Sequence, residues 1–134
     1  MSIKVNWKKD CQFNVVTEKG FELTVDADSE IAPCPTELLL SALGSCSATD
    51  VVMGLQQQGV EVQGLTNTVT YTLTEQEPRL YKSANLHFTV TAKNVSEEQI
   101  KTAADNAIQK YCHVCLMLQP AIALSYTVAM INPY

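Results

Sequence analysis

Residues 35–58, Pro-Thr-Glu-Leu-Leu-Leu-Ser-Ala-Leu-Gly-Ser-Cys-Ser-Ala-Thr-Asp-Val-Val-Met-Gly-Leu-Gln-Gln-Gln, closed by Gly59, constrain the fold more than any other stretch. Pro35 suits the first turn of a helix, where its missing N–H would lack a partner anyway. Glu37 falls in that turn and favours the positive end of the helix dipole. Gly59 stands where a left-handed C-terminal cap is expected. Between these signals, Leu38, Leu39, Ala42, Leu43, Cys46, Val51, Met53 and Leu55 cover more than one helical stripe, which predicts a helix buried on most sides. Cys46 sits at its middle, flanked by Gly44, Ser45, Ser47 and Ala48. Small neighbours let other backbone, or a substrate, approach the sulfur. Asp50, four residues on, shares the same helix face.

The remaining segments alternate in period two or recur at helical spacing. Residues 3–8, 11–17 and 21–26 read as three strands, with Ile3, Val5 and Trp7 on one face and Cys11, Phe13, Val15, Phe21, Leu23 and Val25 turned inward. Pro33-Cys34-Pro35 ends the loop that follows and launches the helix. Residues 60–74 and 79–93 form a longer strand pair around the turn at Glu75–Pro78. Ser96-Glu97-Glu98-Gln99 is a capping box. It opens a second helix whose apolar face, Ile100, Ala103, Ala104, Ala107, Ile108 and Tyr111, ends at Cys112. A short helical piece over 112–118 and a strand over 121–131 complete the order βββ-α-ββ-α-β. The class is α+β, with antiparallel sheets around a buried central helix.

At 134 residues the chain reads as one domain, 1–134, burying roughly 65–70% of its unfolded surface. A net charge of −5, and no basic cluster beyond Lys8-Lys9, exclude nucleic acid and anionic membranes as partners. The N-terminus lacks a signal-peptide apolar region, and Asp50 interrupts the apolar run 38–55, so a soluble cytoplasmic protein is expected. Its five cysteines are then reduced at rest.

Cys46 and Cys112 each lie on an otherwise apolar helical face, and a buried free cysteine is ordinarily a small apolar filler. Cys112-His113-Val114-Cys115 is a C-x-x-C without the parallel βαβ context of a thioredoxin-like motif. Cys34, Cys46, His87 and His113 supply no second clustered pair to complete a zinc site, so no metal is expected.

Pro35-x-Glu37-Leu38-Leu39-x-x-Ala42-x-Gly44-x-Cys46, followed by Lys110-Tyr111-Cys112-x-Val114-Cys115, resembles the OsmC/Ohr family of osmotically inducible and organic-hydroperoxide-resistance proteins. The resemblance covers essentially the whole chain. It implies an intertwined homodimer that reduces organic hydroperoxides, or hydrogen peroxide, with two cysteines and an external dithiol, without metal, flavin or other cofactor. Cys46 matches the peroxidatic cysteine and Cys112 the resolving one. Glu37 matches the glutamate that, in the well-studied peroxidases, holds an arginine against the thiolate. There the glutamate directly follows the proline, where this chain has Thr36. No arginine precedes Arg79, and Cys115 stands where serine is common. These departures point to a divergent OsmC-like branch. The alternative on the same scaffold is a non-catalytic protein that binds a small ligand or serves a structural role.

Overall fold

The chain begins with three short strands, β1 (Lys4–Lys9), β2 (Gln12–Val16) and β3 (Glu22–Asp26), paired as an antiparallel meander. The structure is a computed structural model and describes residues 1–133. By backbone contacts the chain divides into two compact units, Met1–Ser41 and a second from Ala42 onward.

In the first unit the β1–β2 turn is fixed by the Trp7 indole N–H, which donates to the Asp10 carbonyl at 2.9 Å. Gly20, at φ 88°, supplies the left-handed residue that the β2–β3 turn requires. The apolar row expected to face inward is only partly buried. Val25 is buried and Phe13 and Val15 half-buried, but Val5, Trp7, Phe21 and Leu23 are exposed. Three short strands in a single layer cover one another at their edges only, so alternation alone does not bury a face. The loop after β3 is organised instead by Asp26, whose carboxylate accepts from the backbone N–H groups of Asp28, Glu30 and Ile31 at 2.9, 3.1 and 3.2 Å.

Helix α1 (Pro35–Gln57) continues into the second unit, followed by β4 (Val62–Leu73), β5 (Tyr81–Ala92), α2 (Glu97–Asn106), a π-helical turn (Ala107–Tyr111), α3 (His113–Leu118) and β6 (Ala123–Ile131). The capping box opens α2 as expected, with Ser96 Oγ accepting from Gln99 N–H and Gln99 Oε1 accepting from Ser96 N–H. β5 is the central strand and turns Ala84, Leu86, Phe88, Val90 and Ala92 to the core. β4 pairs with it antiparallel, but β6 pairs parallel, correcting the expectation of purely antiparallel sheets. The cause is the connection: three helical segments carry the chain back to the start of β5, a crossover that a parallel pair needs.

The expected burial of α1 on most sides is corrected as well. Leu43, Ser47, Val51 and Leu55 form one wholly buried stripe, while Leu39 and Met53 are exposed and Cys46 is half-buried. Close approach is made possible by two glycines. A Cβ on Gly44 would lie 3.1 Å from Val69 Cγ2 of β4, and one on Gly54 would lie 3.3 Å from Ala103 Cβ of α2. By length and composition α1 could cross a bilayer. Its stripe of Leu43, Ser47, Val51 and Leu55 is sunk in protein.

Candidate functional site

On α1, Cys46 and Asp50 are four residues apart and point the same way. The segment carrying them is tied down from the side. Ser47 Oγ donates to the Leu43 carbonyl at 2.7 Å and accepts from Asn67 Nδ2 of β4 at 3.1 Å. The same Asn67 amide donates to the Gly44 carbonyl at 3.0 Å.

Cys112 arrives by a different route. After α2 the backbone widens into the π-helical turn, and Cys112 N–H donates to the Ala107 carbonyl, five residues back, at 2.7 Å. Such widened turns recur at functional sites. Cys112 then takes an extended conformation (φ −72°, ψ 109°) and becomes the N-cap of α3, its sulfur accepting the Cys115 N–H at 3.3 Å. One residue thus ends one helical segment and starts the next, which fixes where its sulfur points.

The outcome is a cluster in which Cys46 Sγ, Cys112 Sγ and an Asp50 carboxylate oxygen lie within 4.8 Å of one another. Cys46 and Asp50 are half-buried and Cys112 is fully buried. Cys46 and Asp50 border a cavity of about 660 Å³ whose walls also include Met53, Asn106, Tyr111 and His113. No lysine or arginine among the described residues lines it. Burial pushes the Cys112 thiol above its ordinary value, and the neighbouring Cys46 adds to the shift. Burial likewise pushes the Cys115 thiol far up, reinforced by Cys112 and by the charge of Asp50.

Of the residues singled out from sequence, Cys46 and Cys112 come together, with Asp50 as the third member. Glu37 lies in the first unit. Its carboxylate accepts from the Cys34 N–H and the Ser29 hydroxyl, both at 3.5 Å, at the start of α1. Cys34 stands at the cap of that helix, where the Thr36 hydroxyl and then the Glu37 N–H hold its thiol below the usual range. Arg79 is engaged at the β4–β5 turn, donating to the Thr74 carbonyl at 3.0 Å. His87 bonds Thr127 across β5 and β6. Sequence reasoning missed Asn67. The signal was present, since Asn67 is the one polar residue in the series Leu65, Asn67, Val69, Tyr71, Leu73.

The model of the OsmC-like protein family matches residues 20–127. The chain belongs to the OsmC-like family. Protein YhfA of Escherichia coli (strain K12) is 34% identical over 128 residues, covering 95% of this chain and 96% of its own length. The fold is shared with the OsmC-like protein from Mycoplasma pneumoniae, at a TM-score of 0.84 and 20% identity over 97% of this chain and 96% of that one. It is shared also with the organic hydroperoxide resistance protein OhrB of Bacillus subtilis, at 0.66 and 14% over 96% and 98%. The expected α+β, OsmC-like architecture is thus the observed one.

Proposed function

We propose that this chain is a thiol-dependent hydroperoxide reductase, with Cys46 as the attacking thiol and Cys112 as the resolving one. Membership of the OsmC-like family supports a peroxide-related or stress role. The observation that carries the finer reading is the meeting of the two sulfurs, with Cys46 on the wall of a cavity large enough for a small organic hydroperoxide.

The Cys46 thiolate attacks the terminal oxygen of R–O–O–H, breaking the O–O bond. Sulfur is oxidised to a sulfenic acid, and the departing alkoxide takes a proton and leaves as the alcohol. The Cys112 thiol then attacks the sulfenic sulfur, forming the disulfide and releasing water. An external dithiol returns both cysteines to thiols and becomes a disulfide itself. No further cofactor enters. No lysine or arginine among the described residues of the cavity wall offsets the charge of the attacking thiolate, so turnover is slow beside that of enzymes that hold an arginine there.

The exposed apolar face of α1 (Leu39 and Met53) and the exposed row on β1 (Val5 and Trp7) support a homodimer. Equilibrium sedimentation reads the mass directly, and a monomer at micromolar concentration would overturn the dimer.

Activity is tested by following oxidation of dithiothreitol by tert-butyl hydroperoxide. The native chain accelerates it, Cys46→Ser abolishes the acceleration, and Cys112→Ser stalls after one turnover. Equal rates for native chain and Cys46→Ser would sink the proposal and favour a ligand-binding role.

A further inference from the structure

Three groups that carry negative charge when ionised converge, two of them on the cavity wall, and no lysine or arginine among the described residues lines that wall. Sequence reasoning looked for a second Cys/His pair to complete a metal site around C-x-x-C. The fold supplies a different set, with Cys46 and Asp50 from one helical face and Cys112 from the far end of the π-helical turn.

We propose that Cys46 Sγ, Cys112 Sγ and the Asp50 carboxylate form a binding site for a thiophilic divalent cation of the zinc type. Thiolate sulfur and carboxylate oxygen are both zinc donors, and three protein ligands with a fourth position left open is a recurring arrangement. With Zn–S bonds of about 2.3 Å and tetrahedral angles, two coordinating sulfurs sit about 3.8 Å apart. The observed separation, within 4.8 Å, lies about one ångström from that value at most. Cys46 and Asp50 lie within α1, and Cys112 is the junction residue between the π-helical turn and α3. The Cys112 sulfur already accepts a backbone N–H from Cys115, the outer hydrogen bond that orients a coordinating ligand. Cys46 and Asp50 lie on the cavity wall, as does His113, so the cavity gives a cation a path to the donors. On binding, each thiol gives up its proton to solvent and the cation takes both sulfurs as thiolates. Peroxide oxidation of the pair to a disulfide removes both donors and releases the cation.

The proposal needs no peroxidase activity, and its test is read separately. Reduced, chelator-stripped native protein is titrated anaerobically with Co²⁺ as a spectroscopic stand-in for Zn²⁺. One equivalent per chain produces near-ultraviolet thiolate-to-cobalt absorption, which Zn²⁺ abolishes by displacement. Cys46→Ser and Cys112→Ser each lose that absorption at stoichiometric metal, and Cys34→Ser retains it. Asp50→Asn keeps the absorption but weakens binding roughly tenfold or more, because one of three protein donors is gone. A second measurement needs no variant. Stoichiometric Zn²⁺ protects Cys46 and Cys112 of the native chain from iodoacetamide, as read by peptide mass mapping. No absorption with the native chain, equal binding by both cysteine variants, or alkylation unchanged by Zn²⁺ would each overturn the site. Peroxide turnover by the metal-free chain reports on the reductase alone.

Discussion

The backbone N–H of Cys115 donates to the sulfur of Cys112 at 3.3 Å, so the first cysteine of C-x-x-C caps the short helix that carries the second. Cys112 presents its sulfur to Cys46 and Asp50, and the three-atom cluster does not include Cys115. On the proposed reading, resolution of a sulfenic acid on Cys46 falls to Cys112. After one equivalent of organic hydroperoxide, non-reducing peptide mapping shows a Cys46–Cys112 link. A dominant Cys112–Cys115 link with Cys46 still alkylatable would assign the redox function to C-x-x-C instead.

The thiols also separate by reactivity. Cys34, held low by the Thr36 hydroxyl and the Glu37 N–H, alkylates first as pH is raised from neutral. Cys112 and Cys115, both pushed up by burial, alkylate last. Quantitative mapping with iodoacetamide between pH 6 and 9 checks the order, and labelling of Cys115 ahead of Cys34 would contradict it.

The same shifts make the fold sensitive to alkali. A thiol whose folded value lies above its unfolded value, ordinarily 9.0, leaves stability intact below that pH. The contribution is lost as pH climbs from there toward the folded value, because the unfolded chain ionises first. The urea midpoint of the reduced protein falls above pH 9, and Cys115→Ala flattens that fall. An equal alkaline slope in the variant would remove Cys115 as a cause.

The central helix, the capping box and the element order were legible because each rests on local signals: Pro35 and Gly59, Ser96 and Gln99, and alternation in the strands. The parallel pairing of β6 was not, because register is set by the crossover rather than by β6 itself. The exposed Val5 and Trp7 carry the same alternation as buried β5, so pattern alone could not tell a covered face from an open one. In the site, Cys46 and Cys112 were found by family resemblance. Their meeting with Asp50 depends on the π-helical turn, for which the sequence held no signal. Glu37 was read from its place near Pro35, yet its carboxylate caps α1 at Cys34 N–H and Ser29.

Asp26 gives the acid counterpart. Burial opposes its ionisation, but the three backbone N–H donors outweigh burial and hold its carboxyl below the ordinary value. A depressed carboxylate contributes stability above its unfolded value, 3.8, and loses it as pH falls through the lower folded value. Asp26→Asn keeps the size but turns one acceptor into a donor facing N–H groups. The variant is less stable at neutral pH, and it loses less further stability below pH 4 than the native chain. Identical acid unfolding curves would contradict this.

The tether between Asn67 and Ser47 tests how the cysteine is held. Asn67 Nδ2 donates to Gly44 O and Ser47 Oγ, on either side of Cys46 along α1. Asn67→Ala removes both bonds in a half-buried setting, a loss of about 1–2 kcal/mol by urea unfolding. Of the two Asn67 bonds Ser47→Ala removes only the second, together with the hydroxyl's own bonds within the helix to the Leu43 and Gly44 carbonyls. The double variant should therefore lose less than the sum of the two, with a coupling of about 0.5 kcal/mol or more. Peroxide turnover serves as the second readout. If the tether positions Cys46, Asn67→Ala slows turnover at temperatures where the variant remains folded. Strict additivity together with unchanged turnover would reduce Asn67 to an ordinary strand residue.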